Sequence, residues 1–339
     1  MKFNFEATGI GSVPFKDPRK SCEMIFDIFP SIPFWPQLPR MSFLENMYVQ
    51  FSERLPGLLL DEEKRTIRID TAKAADDIEN VYEKYLESDI EFFKVSEDHA
   101  KGFYEFLRLA GELSKNAKFL KGHITGPVSY ALSLTDQNKK SILYDNELFE
   151  ALAKVLVMKA KWQARKLRSV SPNVIIFIDE PSLVSLGSSY VNINADAAFE
   201  KLDELIRAIK DEGVICGLHC CGNTDWALLL KTDIDIINFD AYNFTKEFLL
   251  YSEELKEFFQ RGGSIGWGIV PTSGLTGEET AEDLAQRLRA AIDILADKGI
   301  ERESVSSLVT PSCGIGTLDE KTARNILETT KKVSEIMQG

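Results

Sequence analysis

No apolar run in the 339-residue chain reaches the length needed to span a bilayer, so a membrane anchor is not expected. The opening residues, MKFNFEATGIGSVPF, lack the charged, apolar and small-residue regions of a secretory signal, and a cytoplasmic location is the expectation. Basic charge is in short supply: 40 Lys and Arg stand against 53 Asp and Glu, a net charge of −13, with no basic stripe to offset that field locally. Such a field repels phosphate backbones and argues against nucleic acid as a partner. Cysteines number five, an odd count in a long chain, which excludes a disulfide framework and leaves free thiols or metal ligands. There is no biased tract, interdomain linker or internal repeat, so residues 1–339 are expected to form a single domain.

What is present is a cycle. Short apolar, β-rich runs end in small or polar residues and are followed by amphipathic helical stretches. Six strand candidates follow one another from residue 119: 119–127, 173–181, 214–222, 234–242, 263–271 and 306–314. Residues 6–14 and the proline-flanked 31–39 supply two more. Between them, stretches such as ADAAFEKLDELIRAIKDEG carry apolar residues at three- and four-residue spacing. Eight βα units imply a parallel sheet that closes most naturally into a (β/α)8 TIM barrel, with a doubly wound open sheet as the alternative. The stretch 55–70 alternates apolar and charged residues around an acidic turn, which reads as a small hairpin inserted after the second strand.

In a barrel, side chains at strand ends converge on one rim. Reading those ends in order collects Ser12, Asp179 and Glu180, His219 with Cys220 and Cys221, Asp240 and Cys313. His219 and Cys221 are one residue apart, so in extended backbone they leave the strand on the same face, with Cys220 pointing away. Asp240 and Cys313, from two further strand ends, complete an N, S, O, S donor set suited to zinc rather than to magnesium or calcium. Each residue alone reads as structural: buried cysteines are common and an Asp at a strand end is often a helix cap. It is the convergence of four that points to a metal. Cys22 and Cys216 read as core. His99 and His123 read as structural residues at a loop or helix start and at a strand end.

GIGSVP near the start, TGPVS at 125–129, IDEPSL at 178–183, HCC at 219–221 and PSCG at 311–314 resemble, in order and spacing, the catalytic half of cobalamin-independent methionine synthase, and the resemblance covers essentially the whole chain. It implies a zinc-bearing barrel in which the thiol of L-homocysteine binds the metal as thiolate and attacks a methyl group. The metal ligands carry over to His219, Cys221 and Cys313, with Asp240 where the family has glutamate. The resemblance places the substrate carboxylate at Ile10, Gly11 and Ser12, its amine at Asp179, and a further substrate contact at Glu45.

The departures concern the methyl donor. The family's second barrel, which helps hold a polyglutamated folate, has no counterpart in this chain, the tryptophan that follows TGPV is replaced around Leu132 and Ser133, a folate contact after IDEP is Ser185, and the loop 266–274 lacks the proton-donating histidine. Methyltetrahydrofolate transfers its methyl group poorly unless its leaving nitrogen is protonated, whereas methylcobalamin needs no acid. The chain therefore looks similar to short single-barrel methionine synthases, with methylcobalamin on a corrinoid protein as the expected donor and partner. A neighbouring reading is a methylcorrinoid:coenzyme M or other thiol methyltransferase. A reading of a different class is a noncatalytic corrinoid- or thiol-binding module.

Overall fold

The computed structural model describes residues 2–185, 194–272 and 279–339. Its strands are β1 (Asn4–Ala7), β2 (Leu58–Asp61), β3 (Thr66–Ile69), β4 (Leu120–Thr125), β5 (Val174–Asp179), β6 (Ile215–Cys220), β7 (Ile236–Phe239), β8 (Ser264–Val270) and β9 (Ser306–Pro311). Seven of them form one sheet in the order β1-β9-β8-β7-β6-β5-β4, and every pairing in it is parallel. The six strands expected from residue 119 onward are β4 to β9. The first expected strand forms a continuous ladder only at Asn4–Ala7, ahead of most of 6–14.

The sheet curls until β1 and β4 face each other across the segment 31–37. Parallel bridges join Ser12 to Gln37 on one side of it and Phe34 to Lys121 on the other, which closes the ring at eight. This segment is the proline-flanked second strand expected from the sequence. It makes isolated bridges instead of a continuous ladder because Pro33 and Pro36 carry no N–H. The donors that remain are used: Trp35 N–H donates to the Lys121 carbonyl and Gln37 N–H to the Gly11 carbonyl.

The insertion after this segment is larger than a hairpin. The antiparallel pair β2 and β3 is present, with Leu58 opposite Ile69, but the helices Thr71–Leu86 and Lys101–Leu113 follow before the chain returns to the barrel at β4. The hairpin is tied to the loop after β4 through Ile69 N–H, which donates to the Thr135 carbonyl.

Helices cover the outside of the sheet. Gly122 faces the helix Asn146–Arg168 so closely that a Cβ there would meet Gln163 at 2.0 Å, and Lys121, His123 and Thr125 alternate onto the inner face of β4. Inside the ring, Phe3, Ile32, Phe119, Ile175, Phe177, Ile236 and Leu308 form a separate apolar cluster drawn from strands all around the barrel. At roughly 1.5–3 kcal/mol for each fully buried large apolar side chain, this plug is a major stabilising element. It fills the end where the strands start, away from the strand C-termini. None of the helices among the described residues is long and apolar enough to cross a membrane.

Candidate metal centre

β6 ends in His219 and Cys220, and Cys221 follows. The alternation expected from extended backbone is what the structure shows: Cys220 is buried in the core between sheet and helices, while His219 and Cys221 turn inward. There they meet Cys313, carried just past β9. One ligand atom from each of His219, Cys221 and Cys313 lies within 4.8 Å of the other two. Backbone bonds hold the Cys313 loop in place: Ser312 N–H donates to the Val270 carbonyl at 2.8 Å and Ile315 N–H to the Ser12 carbonyl at 3.0 Å.

The electrostatics of the trio suit a cation. The neighbouring Cys313 thiol holds the Cys221 thiol down to about 4, burial opposes this, and His219 adds to it. Cys313 moves the other way, raised by Cys221 and by burial. Burial pushes His219 down, but Cys221, Asp179 and Asn238 more than offset that and leave its pKa raised. Nε2 of His219 is buried with no partner among the described residues. An unpaired imidazole nitrogen beside two sulfurs is a donor set that fits zinc.

Asp240 is placed differently from the expectation. The three-atom cluster does not include it. Its carboxylate caps the helix Ala241–Phe248, accepting from Asn243 N–H at 3.0 Å and from Asn243 Nδ2 at 2.7 Å. Aspartate is one methylene shorter than glutamate, and from this strand end its oxygens reach their own helix terminus. It remains near enough for Cys221 and His219 to influence its pKa, which burial raises.

Glu45 also has other work. It is completely buried, and its two oxygens accept from Leu38 N–H at 2.9 Å and Lys101 N–H at 2.8 Å, which ties the insertion to the barrel. Burial raises its pKa to about 7, against the pull of those amides. With both oxygens committed to backbone donors, the structure gives Glu45 a bracing role in place of the expected substrate contact.

The remaining expected residues gather around the trio. Asp179 ends β5 in register with His219 and is buried, with Oδ1 lacking a partner among the described residues. Burial raises its pKa, while His219 and Lys121 draw it down. Ser12 lies against the Cys313 loop: a Cβ at Gly314 would stand 2.3 Å from Ser12 Oγ, so only glycine allows this approach. Among the described residues, the N–H groups of Gly11 and Ser12 donate to no protein acceptor. Glu180 points elsewhere, accepting from Val128 N–H, Ser129 N–H and Ser129 Oγ, and so links the IDEP segment to TGPVS.

Of the donor-related positions, Leu132 and Ser133 lie on the helix Pro127–Ser133 and Ser185 ends a short 3-10 turn, while Ser273 and Gly274 of the loop 266–274 lie outside the described residues. His123 packs between Trp35 and Phe51 beneath Gly11, and His99 bonds to Ser96 Oγ just ahead of a helix.

Two interior residues escaped sequence reasoning. Lys121 is fully buried, donates to the Ile10 carbonyl at 2.6 Å and lies 4.3 Å above the Phe177 ring, so it anchors the turn that leads to Ser12. Asn238 is fully buried beside His219. The available signal was a polar side chain at an inward position of a buried strand: Lys121 in FLKGHIT and Asn238 in the otherwise apolar IINF.

Residues 100–335 match the family model described as "Cobalamin-independent synthase, Catalytic domain". No curated protein matches the chain. Among solved structures, a B12-independent methionine synthase from Shewanella sp. W3-18-1, in complex with selenomethionine, is 23% identical, with a TM-score of 0.48 over 68% of this chain. The chain spans 66% of the length of that protein. A family match over more than two thirds of the sequence, which takes in TGPVS, IDEPSL, HCC and PSCG, settles the affiliation: this chain belongs to the cobalamin-independent synthase catalytic-domain family.

Proposed function

We propose that the protein is a zinc-dependent methyltransferase that methylates the thiol of L-homocysteine to give L-methionine. The observation that carries this reading is a juxtaposition: the His219, Cys221 and Cys313 donor set, and an Asp179 whose Oδ1 has no partner among the described residues, come from strand ends at one end of a single barrel. His219, Cys221 and Cys313 would hold zinc. When bound, zinc supplies Lewis acidity that converts the substrate thiol into its nucleophilic thiolate near neutral pH.

The protein's own residues account for the rest of the substrate. The Asp179 carboxylate complements an ammonium group, and the open N–H groups of Gly11 and Ser12, on a turn braced by Lys121, complement a carboxylate. Fixing both ends orients the sulfur for in-line attack. A sulfonate thiol such as coenzyme M has no ammonium group to pair with Asp179, so the amino-acid thiol is the better fit.

For the donor, we propose methylcobalamin carried on a corrinoid protein. Its support lies in the sequence: Leu132, Ser133 and Ser185 stand where folate contacts are expected, and no histidine occurs in 266–274. The description of the matched family as cobalamin-independent favours methyltetrahydrofolate instead. With methylcobalamin the new S–C bond forms as the Co–C bond breaks, and the bonding pair leaves on cobalt without a proton; folate requires an acid at its leaving nitrogen.

The test is to incubate zinc-replete protein anaerobically with homocysteine and either methylcobalamin or triglutamyl methyltetrahydrofolate, and to measure methionine by mass spectrometry. Methionine from methylcobalamin is expected. Methionine from the folate alone overturns the donor assignment and leaves the acceptor assignment standing. A zinc-free protein with no product from either donor supports the noncatalytic binding reading.

A further inference from the structure

The zinc reading leaves open which nitrogen of His219 faces the metal, and the barrel interior contains the answer. Nδ1 of His219 lies 2.5 Å from Oδ1 of Asn238, a residue with no solvent exposure. The other end of that amide is fixed twice: Nδ2 donates to the Gly266 carbonyl and to Thr310 Oγ1, both at 2.8 Å. A backbone carbonyl can only accept, so the amide has one permitted orientation; flipped, it would set two oxygens against each other at Gly266. Thr310 agrees, because its hydroxyl donates to the Pro311 carbonyl at 2.9 Å and leaves only lone pairs for Asn238.

With every direction set, Oδ1 of Asn238 is an acceptor and Nδ1 of His219 must carry the proton. In the neutral ring, the form that can ligate a metal, Nε2 is then the lone-pair nitrogen, and it is the buried atom without a partner among the described residues. Asn238 also spans the strands that matter, reaching from β7 to His219 on β6, across β8, and to β9 just before Cys313. Gly266 makes room for that span: a Cβ there would stand 2.6 Å from Asn238 Nδ2.

We infer that Asn238 is the positioning residue of the metal centre, locking His219 as the Nδ1–H tautomer so that Nε2 is presented alongside Cys221 and Cys313. This rests on the zinc reading. The metal site so defined is built from four strands, and its orienting group is a neutral amide in place of a carboxylate. An amide orients the imidazole without adding a negative charge beside two thiolates.

The experiment combines zinc affinity with the state of the ring. The chain has three histidines, His99, His123 and His219, so 15N-edited NMR of the imidazoles resolves His219 once its signal is assigned with His219→Gln. Zinc affinity is measured by chelator competition on wild type, Asn238→Leu, Asn238→Asp, Thr310→Val and Gly266→Ala. We expect the wild-type His219 to be Nδ1-protonated and metal-bound through Nε2. Asn238→Leu should weaken zinc binding by roughly 10–100-fold, the usual effect of losing such a partner. Asn238→Asp keeps the acceptor for Nδ1 but sets an oxygen against the Gly266 carbonyl, so it should recover only part of that affinity.

A folded Asn238→Leu protein with wild-type affinity and tautomer overturns the inference, as does Nδ1 coordination in the wild type. Should Asn238→Leu fail to fold, Thr310→Val and Gly266→Ala, which loosen or displace the amide, must weaken zinc binding, and unchanged affinity in both overturns the inference equally. Failure of the underlying zinc reading looks different: the wild type itself binds no zinc, or keeps it after Cys221→Ser and Cys313→Ser.

Discussion

Replacing Glu180 with alanine should be among the most damaging single changes outside the metal centre. Its carboxylate is completely buried, accepting from Val128 N–H at 2.8 Å, Ser129 N–H at 2.8 Å and Ser129 Oγ at 2.6 Å. Alanine strands two buried amides, and each unsatisfied buried donor costs about 1–3 kcal/mol. The hydroxyl is less exposed to the loss because it can rotate and already accepts from Ser182 N–H. A cavity term adds to this, so about 3–5 kcal/mol is expected where Glu180 is protonated.

The loss should depend on pH in a defined direction. Burial lifts the folded-state pKa of Glu180 from 4.5 to about 7, in spite of the hydrogen bonds that favour the anion. An acid raised in this way contributes stability that is fully present below 4.5 and is lost as pH rises through 7. That lift corresponds to about 3 kcal/mol. Glu180→Ala removes the titration, so its deficit relative to wild type should be largest near pH 5 and smaller by up to about 3 kcal/mol near pH 8. Urea unfolding of both proteins at the two pH values measures this. A deficit under about 1 kcal/mol at pH 5, or one that does not change with pH, refutes the reasoning.

Lys159 should behave in the opposite sense. It is fully buried, donates among the described residues only to the Phe93 carbonyl, and burial lowers its pKa from 10.5 to about 7, so its contribution is complete above 10.5 and lost as pH falls through 7. Lys159→Met should therefore be more stable than wild type at pH 7, with the gain shrinking by pH 10 in denaturant titrations. Cys313→Ser should lose zinc to a mild chelator that the wild type withstands, scored by elemental analysis; full retention would remove Cys313 from the ligand set. Gly217→Ala would place a Cβ 2.3 Å from Phe177 Cδ1 in the barrel interior and should lower stability by about 1–3 kcal/mol, read from the thermal midpoint.

Local patterning made much of the protein legible. The period-two and period-3.6 alternation of apolar residues depends only on near neighbours, and it located β4 to β9 and their helices. The His-x-Cys spacing showed that His219 and Cys221 share a face, and the order of strand ends brought Cys313 to the same rim. The proline-rich strand was found too, although its missing N–H groups reduce it to bridges. Only the tertiary structure could decide which polar groups meet. Asp240 and Glu45 have side chains that suit a site, but nearby helix and loop amides lie within reach of their oxygens and take them. Lys121 and Asn238 look misplaced within apolar strands until barrel closure sets the Ile10 carbonyl against one and His219 against the other. For Glu45, Lys121 and Asn238 the physical reason is shared: a hydrogen bond is a relation of a few ångströms between groups up to 111 residues apart, and periodicity along one segment carries no record of what other segments bring to it; Asp240 is the local case, a helix cap whose partner Asn243 is three residues away.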